Sequence, residues 1–272
     1  MNPEKIDVKT GKSRFYFTDW AGPDIPVWMY IPKKGKIRHM PIVMVMHGAG
    51  RDGDRYRDEW APLAEKYDFI VIVPEFSKKK FPKSRSYNLG GVFKGKDKKY
   101  QAEAEWSFST IEPLFSKVVD MSGSMQKEYT LYGHSAGAQF VHRFLFYKQD
   151  VRVKRYIAAN AGWYTTPDFE ENYPYGLKGA QISKQDLKAA LQKDVVILLG
   201  DKDVDKTNSN LRRTPEAMKQ GVHRFERGHF FFNQANERAR ELEVDFGWKL
   251  GIVRGASHHN GQMAAAAAKL IY

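Results

Sequence analysis

A serine in a glycine-framed turn is the residue of this chain with the clearest chemical potential. Ser135 is the central residue of GHSAG at positions 133–137, a Gly-x-Ser-x-Gly pattern that follows the apolar run 129–132. Apolar residues at helical spacing come next, so the pattern predicts a sharp turn from a strand into a helix. Such a turn exposes the hydroxyl beside a helix N-terminus, where backbone N–H groups favour an anion. The sequence therefore predicts a nucleophilic serine.

A serine hydroxyl needs a base that takes its proton, and the base needs a carboxylate that fixes its tautomer. Acidic candidates follow the apolar run 195–199, in GDKDVD at positions 200–205, where Asp201, Asp203 and Asp205 also suit a turn. Histidine candidates, His258 and His259, follow the apolar run 248–253 in a loop of small residues. Each lies after a predicted core strand, where a catalytic side chain can reach the serine.

The developing oxyanion needs two N–H donors. We expect the first to be the backbone of Ala136, the residue after the serine. The second is expected from the glycine-rich turn HGAG at positions 47–50, where Ala49 is our choice and Gly50 is the alternative.

The other histidines and the absence of cysteine limit the types of catalysis that the chain could perform. His134 and His142 lie near the serine, and we interpret both as structural. The chain has no cysteine, which excludes thiol catalysis, disulfides and thiolate metal ligands. Adjacent histidines rarely chelate one ion and no acidic cluster accompanies His258 and His259, so we predict neither a metal nor another cofactor.

The segments that carry these candidates alternate between strand and helix patterns. This alternation predicts a mostly parallel sheet between helices. We predict an antiparallel pair at 15–19 and 27–32, then strands at 41–47, 69–73, 129–132, 156–160, 195–199 and 248–253. Helices are predicted around residues 56–67, at 105–119, after the serine, and at 261–272, with an amphipathic segment at 233–242. One α/β domain would span residues 1–272, with insertions at 165–193 and 204–247 that cap or line the site.

The net charge is +12, and many of the cations fall between Lys78 and Lys99. We favour a solvated lysine-rich loop there, because no nucleic-acid motif accompanies the charge. No apolar run is long enough to span a bilayer. Residues 1–19 are polar with no apolar segment, so the expectation is a cytoplasmic protein as the chain is given, or a secreted or periplasmic one whose leader was removed.

The motifs together resemble the α/β-hydrolase superfamily. More narrowly, the chain is similar to bacterial polyhydroxybutyrate depolymerases and feruloyl-esterase-like serine esterases. The resemblance rests on segments between residues 46 and 263, among them HGAGRDGDRYRDEWAPLA, YGHSAGAQFVHRF, GDKDVD and the Gly-x-x-His of the last loop. It implies a mostly parallel sheet with helices on both faces, and a triad of Ser135, Asp203 and His258.

The family resemblance also suggests residues of a substrate pocket. Tyr87 and Asn88 in SYN and Trp163 and Tyr164 in AGWY are candidates, since aromatic rings at the mouth of a site can hold an acyl or aryl group. Plain core packing is the alternative for each of them.

The expected function is hydrolysis of a carboxylic ester through an acyl-enzyme, on a small or oligomeric ester substrate. A serine peptidase or amidase on the same fold is one alternative. A non-catalytic binding module is another, because a fold does not determine a function. The oligomeric state is left open.

Overall fold

The central element of the computed structural model is a sheet of eight strands, within the described residues 8–95 and 97–272. The strands, with a separate short hairpin at β5 and β6, are β1 (Gly11–Phe17), β2 (Ile25–Ile31), β3 (Ile42–Met46), β4 (Ile70–Pro74), β5 (Phe93–Lys94), β6 (Lys99–Tyr100), β7 (Tyr129–His134), β8 (Val153–Ala159), β9 (Val195–Gly200) and β10 (Trp248–Val253). The spatial order is β1-β2-β4-β3-β7-β8-β9-β10. β1 and β2 pair antiparallel, and β2 joins β4 antiparallel. The six strands β4, β3, β7, β8, β9 and β10 then follow one another in parallel.

Helices connect the parallel strands. They are α1 (Gly53–Tyr67), α2 (Ile111–Ser122), α3 (Ala136–Tyr147), α4 (Lys184–Gln192), α5 (Pro215–Gln220), α6 (Arg224–Glu241) and α7 (Asn260–Ala267). Shorter 3-10 turns occur at Ile37–His39, Glu103–Glu105, Ser107–Thr110 and Ala268–Leu270. None of the helices in this described part of the chain has the length and apolar character that crossing a membrane requires.

The strand sequences explain why helices cover both faces. Successive side chains of a strand point to opposite faces, and every residue of β3 and β4 is buried. Met44 belongs to the apolar cluster that contains residues of α2, α3, α4 and α6, whereas its neighbour Val45 belongs to the cluster with α1 and α7. Strands that are apolar on both sides therefore fold into the middle layer of three, as the α/β pattern predicts.

The predicted fold class is confirmed, with differences in detail. The structure places α2 at Ile111–Ser122 rather than at 105–119, and two 3-10 turns precede it. Serine and threonine side chains compete for backbone partners, and Ser109 Oγ donates to the Glu103 carbonyl. Pro113 stands in the first turn of α2, where its missing N–H costs nothing. The amphipathic segment predicted at 233–242 is the second half of the longer α6.

Candidate active site

Ser135 stands at the junction of β7 and α3 with a backbone φ of 57° and ψ of −113°. A positive φ is unfavourable for a side chain with a Cβ, so the surrounding packing must hold it. The flanking glycines explain how. A Cβ on Gly133 would lie 2.2 Å from the Gly137 carbonyl oxygen, and one on Gly137 would lie 1.9 Å from that of Met46. The two glycines therefore let α3 start close against β3 and β7.

The loops after β9 and β10 bring an acid and an imidazole to this serine. His258 Nε2 lies 3.0 Å from Ser135 Oγ, and His258 Nδ1 lies 2.7 Å from Asp203 Oδ2. The Asp203 side chain is 1% exposed, whereas that of His258 is 25% exposed. The buried Asp203 carboxylate thus faces one ring nitrogen of His258, and the second ring nitrogen faces the Ser135 hydroxyl at the edge of a cavity. This chain of contacts can move a proton between Ser135 and His258.

The neighbouring candidates have other partners. Asp201 Oδ1 accepts from the backbone N–H of Gly255, so Asp201 braces the turn after β10. Asp205 Oδ1 accepts from the N–H and hydroxyl of Thr207, and these bonds lower the pKa of the exposed Asp205 carboxyl. His259 is exposed and precedes α7 as its N-cap residue. Of the tandem acids and histidines, the structure brings Asp203 and His258 to Ser135.

Arg224 is a member of the site that the sequence analysis missed. Its Nη1 lies 3.4 Å from Asp203 Oδ1, and its Nη2 donates to Asn208 Oδ1 at 3.2 Å. Both side chains of the Arg224–Asp203 pair are almost fully buried. Arg224 is the first residue of α6, and no motif in the sequence signals that this helix begins beside the loop after β9.

Two residues beside the Ser135 hydroxyl have backbone N–H groups that could bind an anion. Ala49, Ala136 and Ser135 line one cavity of about 370 Å³ together with His258. Neither the Ala49 nor the Ala136 N–H donates to another group of residues 8–95 or 97–272. These two N–H groups are therefore unpartnered in the part of the chain that the structure describes, as the donors of an anion site must be before a ligand binds.

Solved structures resemble the chain over nearly its whole length. The poly(aspartic acid) hydrolase-1 of Sphingomonas sp. KT-1 is 46% identical, with a TM-score of 0.94 over 97% of this chain and 99% of that one. LpqC of Bordetella parapertussis, described as a poly(3-hydroxybutyrate) depolymerase, is 31% identical, with a TM-score of 0.90 over 96% of this chain and 90% of that one. An S-formylglutathione hydrolase from Agrobacterium tumefaciens shares 14% identity and a TM-score of 0.61, which shows the fold alone.

The chain belongs to the α/β-hydrolase superfamily. Its relatives with these similarities are hydrolases, and the chain is a hydrolase of that fold. A scan against protein-family models and a search of curated proteins gave no match.

The four pocket residues expected from the resemblance occupy two different environments in the hydrolase. Trp163 and Asn88 line a cavity of about 320 Å³ that also contains Ala49 and Ala136. Tyr87 and Tyr164 are fully buried and line none of the cavities around Ser135. The Tyr87 hydroxyl donates to the His47 carbonyl, and the ring of Tyr164 stacks on Phe231 at 4.4 Å.

Three histidines are buried in the segments that position Ser135 and Ala49 of the hydrolase. His134 contacts the Tyr56 hydroxyl through Nδ1, and its ring centroid lies 4.8 Å from that of His258. His47 Nε2 accepts from the Phe76 N–H, and His142 Nε2 accepts from the Thr165 N–H. Burial lowers the pKa of His47 to about 4, and it holds the pKa of His134 and of His142 well below the usual range. These rings are therefore neutral at pH 7.

Basic side chains surround the mouth of the hydrolase site. Arg51, Lys78 and Lys83 line the cavity that contains Ala49 and Ala136. A neighbouring cavity of about 660 Å³ shares Lys83 and adds the cations Arg85, Lys94, Lys98 and Arg212. Part of the lysine-rich segment 78–99 thus lies at the site rather than on a remote surface. Over the described residues, no three histidine, aspartate or glutamate side chains are grouped closely enough to hold a metal ion.

Proposed function

We propose that this hydrolase cleaves a carboxylic acid derivative through an acyl-enzyme on Ser135, with His258 as base and Asp203 as its orienting acid. The observation that carries the proposal is the pair of contacts that His258 makes, 3.0 Å to Ser135 Oγ and 2.7 Å to Asp203 Oδ2. A hydroxyl, an imidazole and a buried carboxylate in hydrogen-bond series form the arrangement that activates serine in unrelated hydrolases.

The chemical steps follow from this arrangement. His258 Nε2 takes the proton of Ser135 Oγ as the oxygen attacks the carbonyl carbon of the substrate. The N–H groups of Ala49 and Ala136 stabilise the oxyanion. His258 then protonates the leaving group, which departs and leaves an ester on Ser135. A water molecule, deprotonated by His258, attacks that ester and releases the acid product.

Carboxylic esters are the first substrate class that we propose. The alcohol of an ester leaves the tetrahedral intermediate more readily than an amine whose nitrogen must first be protonated, and the site needs only the triad and the two N–H donors for this reaction. Support comes from LpqC, the relative with 31% identity, which is described as a poly(3-hydroxybutyrate) depolymerase. Simple nitrophenyl esters are expected to report the activity.

A second candidate function is cleavage of amide bonds in an acidic polymer, and the basic lining of the site favours it. The relative with 46% identity is described as a poly(aspartic acid) hydrolase. Arg51, Lys78 and Lys83 around Ala49 and Ala136 would attract a chain that carries a carboxylate on every unit. A neutral polyester such as poly(3-hydroxybutyrate) has no charged group along its length that could pair with these cations. The basic lining therefore favours an anionic substrate over a neutral one, whichever bond is cleaved.

The segment 204–247 is proposed to cover this site within one domain of residues 1–272. Residues 208–212 line the cavity of Ser135 together with Arg224. The segment 165–193 is proposed to complete the cover, since Tyr173 and Pro174 line the neighbouring basic cavity.

Kinetics with three substrates would test the proposal. Wild-type protein and Ser135→Ala would be assayed with 4-nitrophenyl acetate, poly(aspartic acid) and soluble 3-hydroxybutyrate oligomers. We expect the wild type to hydrolyse the nitrophenyl ester and to prefer the acidic polymer to the neutral oligomers, and Ser135→Ala to lose all of these activities. Cleavage of the neutral oligomers alone would reject the acidic polymer, and equal rates in both proteins would reject the acyl-enzyme.

A further inference from the structure

Trp163 and Arg212 line the cavity that contains Ser135, and a second arginine and a second aromatic ring pack against Trp163. The guanidinium carbons of Arg143 and Arg212 lie 4.2 Å and 4.9 Å from the centre of the Trp163 ring. Tyr175 packs beside Trp163 with ring centroids 4.8 Å apart, and Arg212 lies 5.5 Å from the Tyr175 ring. Guanidinium groups over aromatic faces are held in place by cation–π attraction. We call these four residues the arginine–aromatic cluster.

Arg143 supplies a fixed inner charge to this cluster. Its side chain is completely buried, and its guanidinium donates to the Thr165 hydroxyl, the carbonyl oxygens of Asn88 and Gln139, and Gln139 Oε1. All of these acceptors are neutral, and no carboxylate of the described residues forms an ion pair with Arg143. Burial lowers the pKa of Arg143 to about 10, so the group is still charged at neutral pH.

Arg212 is the outer member of the cluster, and its fork is unoccupied. It is an exposed residue whose Nε donates to the Tyr175 hydroxyl. The Tyr175 hydroxyl is itself hydrogen-bonded to Thr214 Oγ1, which fixes its position. Within the described ranges, neither Nη1 nor Nη2 of Arg212 has a hydrogen-bond or ion-pair partner. Two parallel N–H donors on a side chain fixed at Nε suit bidentate binding of a carboxylate.

The other arginines of this loop region lack such a free fork. Arg224 is engaged with Asp203 and Asn208. Arg213 donates to the backbone carbonyls of Lys206, Asn208 and Leu211, so its guanidinium braces the loop. Arg212 is therefore the cation of this loop that is both fixed in direction and available.

The position of Arg212 relates it to the leaving group. Ser135, His258 and Arg212 line the same cavity of about 370 Å³, whereas the cavity with Lys78 and Lys83 is not lined by His258. Because the leaving group must accept its proton from His258, it occupies the cavity that His258 lines. Arg212 also lines the 660 Å³ cavity beyond, so a chain leaving His258 in that direction passes its fork.

We propose that Arg212 is a specificity-determining residue that binds, through Nη1 and Nη2, a carboxylate on the leaving-group side of the scissile bond. Trp163 and Tyr175 fix the direction of this fork, and Arg143 adds positive potential behind them. The inference rests on the proposed acyl-enzyme function and narrows its substrate to one with an acidic leaving group.

Two esters that differ only in charge provide the test. The acetyl esters of 3-hydroxybenzoate and of 3-hydroxybenzamide share an acyl group and nearly the same leaving-group shape, and acid release can be followed by titration at low salt, where charge effects are least screened. The measured quantity is the ratio of kcat/KM for the acid over the amide. The proteins are the wild type, Arg212→Gln, Arg212→Lys, and Lys219→Gln as a control that removes an exposed cation from α5.

We expect the wild type to prefer the acid, Arg212→Gln to lower the ratio about tenfold or more, and Arg212→Lys to lower it less because it keeps the charge without the fork. Lys219→Gln should leave the ratio unchanged. A wild-type ratio near one, or an Arg212→Gln variant that loses activity on both esters with the same ratio, would overturn the assignment. A wild type that hydrolyses neither ester would also overturn the assignment, and failure of a fluorophosphonate to label Ser135 in the same sample would overturn the proposed acyl-enzyme function itself.

Discussion

The contacts of Asp203 place one buried carboxylate between an imidazole and a guanidinium. One oxygen faces His258 and the other faces Arg224, and the side chain is 1% exposed. A charge in such a position must be paired, because an unpaired buried carboxylate is strongly unfavourable. Arg224 therefore gives the buried Asp203 carboxyl a cationic partner on one oxygen and leaves the other oxygen to hold the His258 ring.

Substitution of Asp203 and of Asp201 would show which of the two aspartates orients His258. Asp203→Asn should lower kcat for a nitrophenyl ester by about ten-thousandfold, because the amide cannot stabilise the imidazolium or impose the correct tautomer. Asp201→Asn is the matched control, since it changes the same group two residues away on a side chain that braces Gly255. Steady-state kinetics of both variants measures the difference. A large loss in Asp201→Asn with little loss in Asp203→Asn would show that the acid has been misassigned.

The residues that sequence reasoning could locate are those whose role leaves a local pattern. Ser135 stands in a strand–turn–helix pentapeptide, and the Asp203 and His258 loops each follow an apolar strand, so all three could be proposed from the sequence. Arg224 and Arg212 leave no such pattern, because their contacts depend on where α6 and the preceding loop fold back onto the site. Tyr87 and Tyr164 could not be distinguished from Asn88 and Trp163, since packing between distant segments decides which of these side chains line a cavity.

The turn between β7 and α3 is the element on which the site depends most. Gly137→Ala would place a methyl group 1.9 Å from the Met46 carbonyl oxygen, where only a shift of backbone could relieve the clash. We expect a loss of about 1–3 kcal/mol in the free energy of unfolding, together with a loss of activity as Ser135 moves.

Gly251→Ala gives a control for the glycine substitution. A Cβ there would meet the end of the Leu198 side chain at 2.8 Å, and a side chain can move more easily than a backbone carbonyl. Urea unfolding and ester kinetics would compare the two variants. Equal stability and activity of Gly137→Ala and the wild type would contradict the close packing of α3 against β3.

The elements themselves were mostly predictable, and the exceptions have local causes. Continuous apolar runs identified the parallel strands because such strands are buried on both faces. The start of α2 was misplaced because residues 105–110 have helical spacing but form 3-10 turns with side-chain bonds such as Ser109 to Glu103. The length of α6 was underestimated because Arg224 and Arg227, buried at its start, read as surface residues in the sequence.

The whole molecule should lose stability in acid because it buries neutral histidines. The pKa of His47 falls from 6.5 to about 4 on burial, and the pKa values of His134 and His142 are lowered for the same reason. Between pH 6.5 and about 4 the unfolded chain binds protons at these positions and the folded chain does not. The free energy of unfolding therefore falls as the pH falls, by up to about 1.4 kcal/mol per pH unit for each such histidine.

A single substitution would isolate one of these protons. His142→Gln should make the free energy of unfolding less dependent on pH between 6.5 and 4, whatever its effect at pH 7. His39→Gln removes an exposed histidine and should leave that dependence unchanged. Urea unfolding at several pH values measures both slopes. An unaltered slope in His142→Gln would mean that this ring is protonated in the folded protein.

Labelling with a fluorophosphonate would show whether Ser135 forms the acyl-enzyme. Intact mass would count the adducts, peptide mapping would locate them, and residual hydrolysis of 4-nitrophenyl acetate would be followed in the same samples. We expect one adduct, on Ser135, with activity lost in proportion to labelling, and no adduct in Ser135→Ala, whose activity should be about a million-fold lower. Labelling of a different residue as activity disappears, or more than a few per cent of wild-type activity in Ser135→Ala, would contradict this expectation.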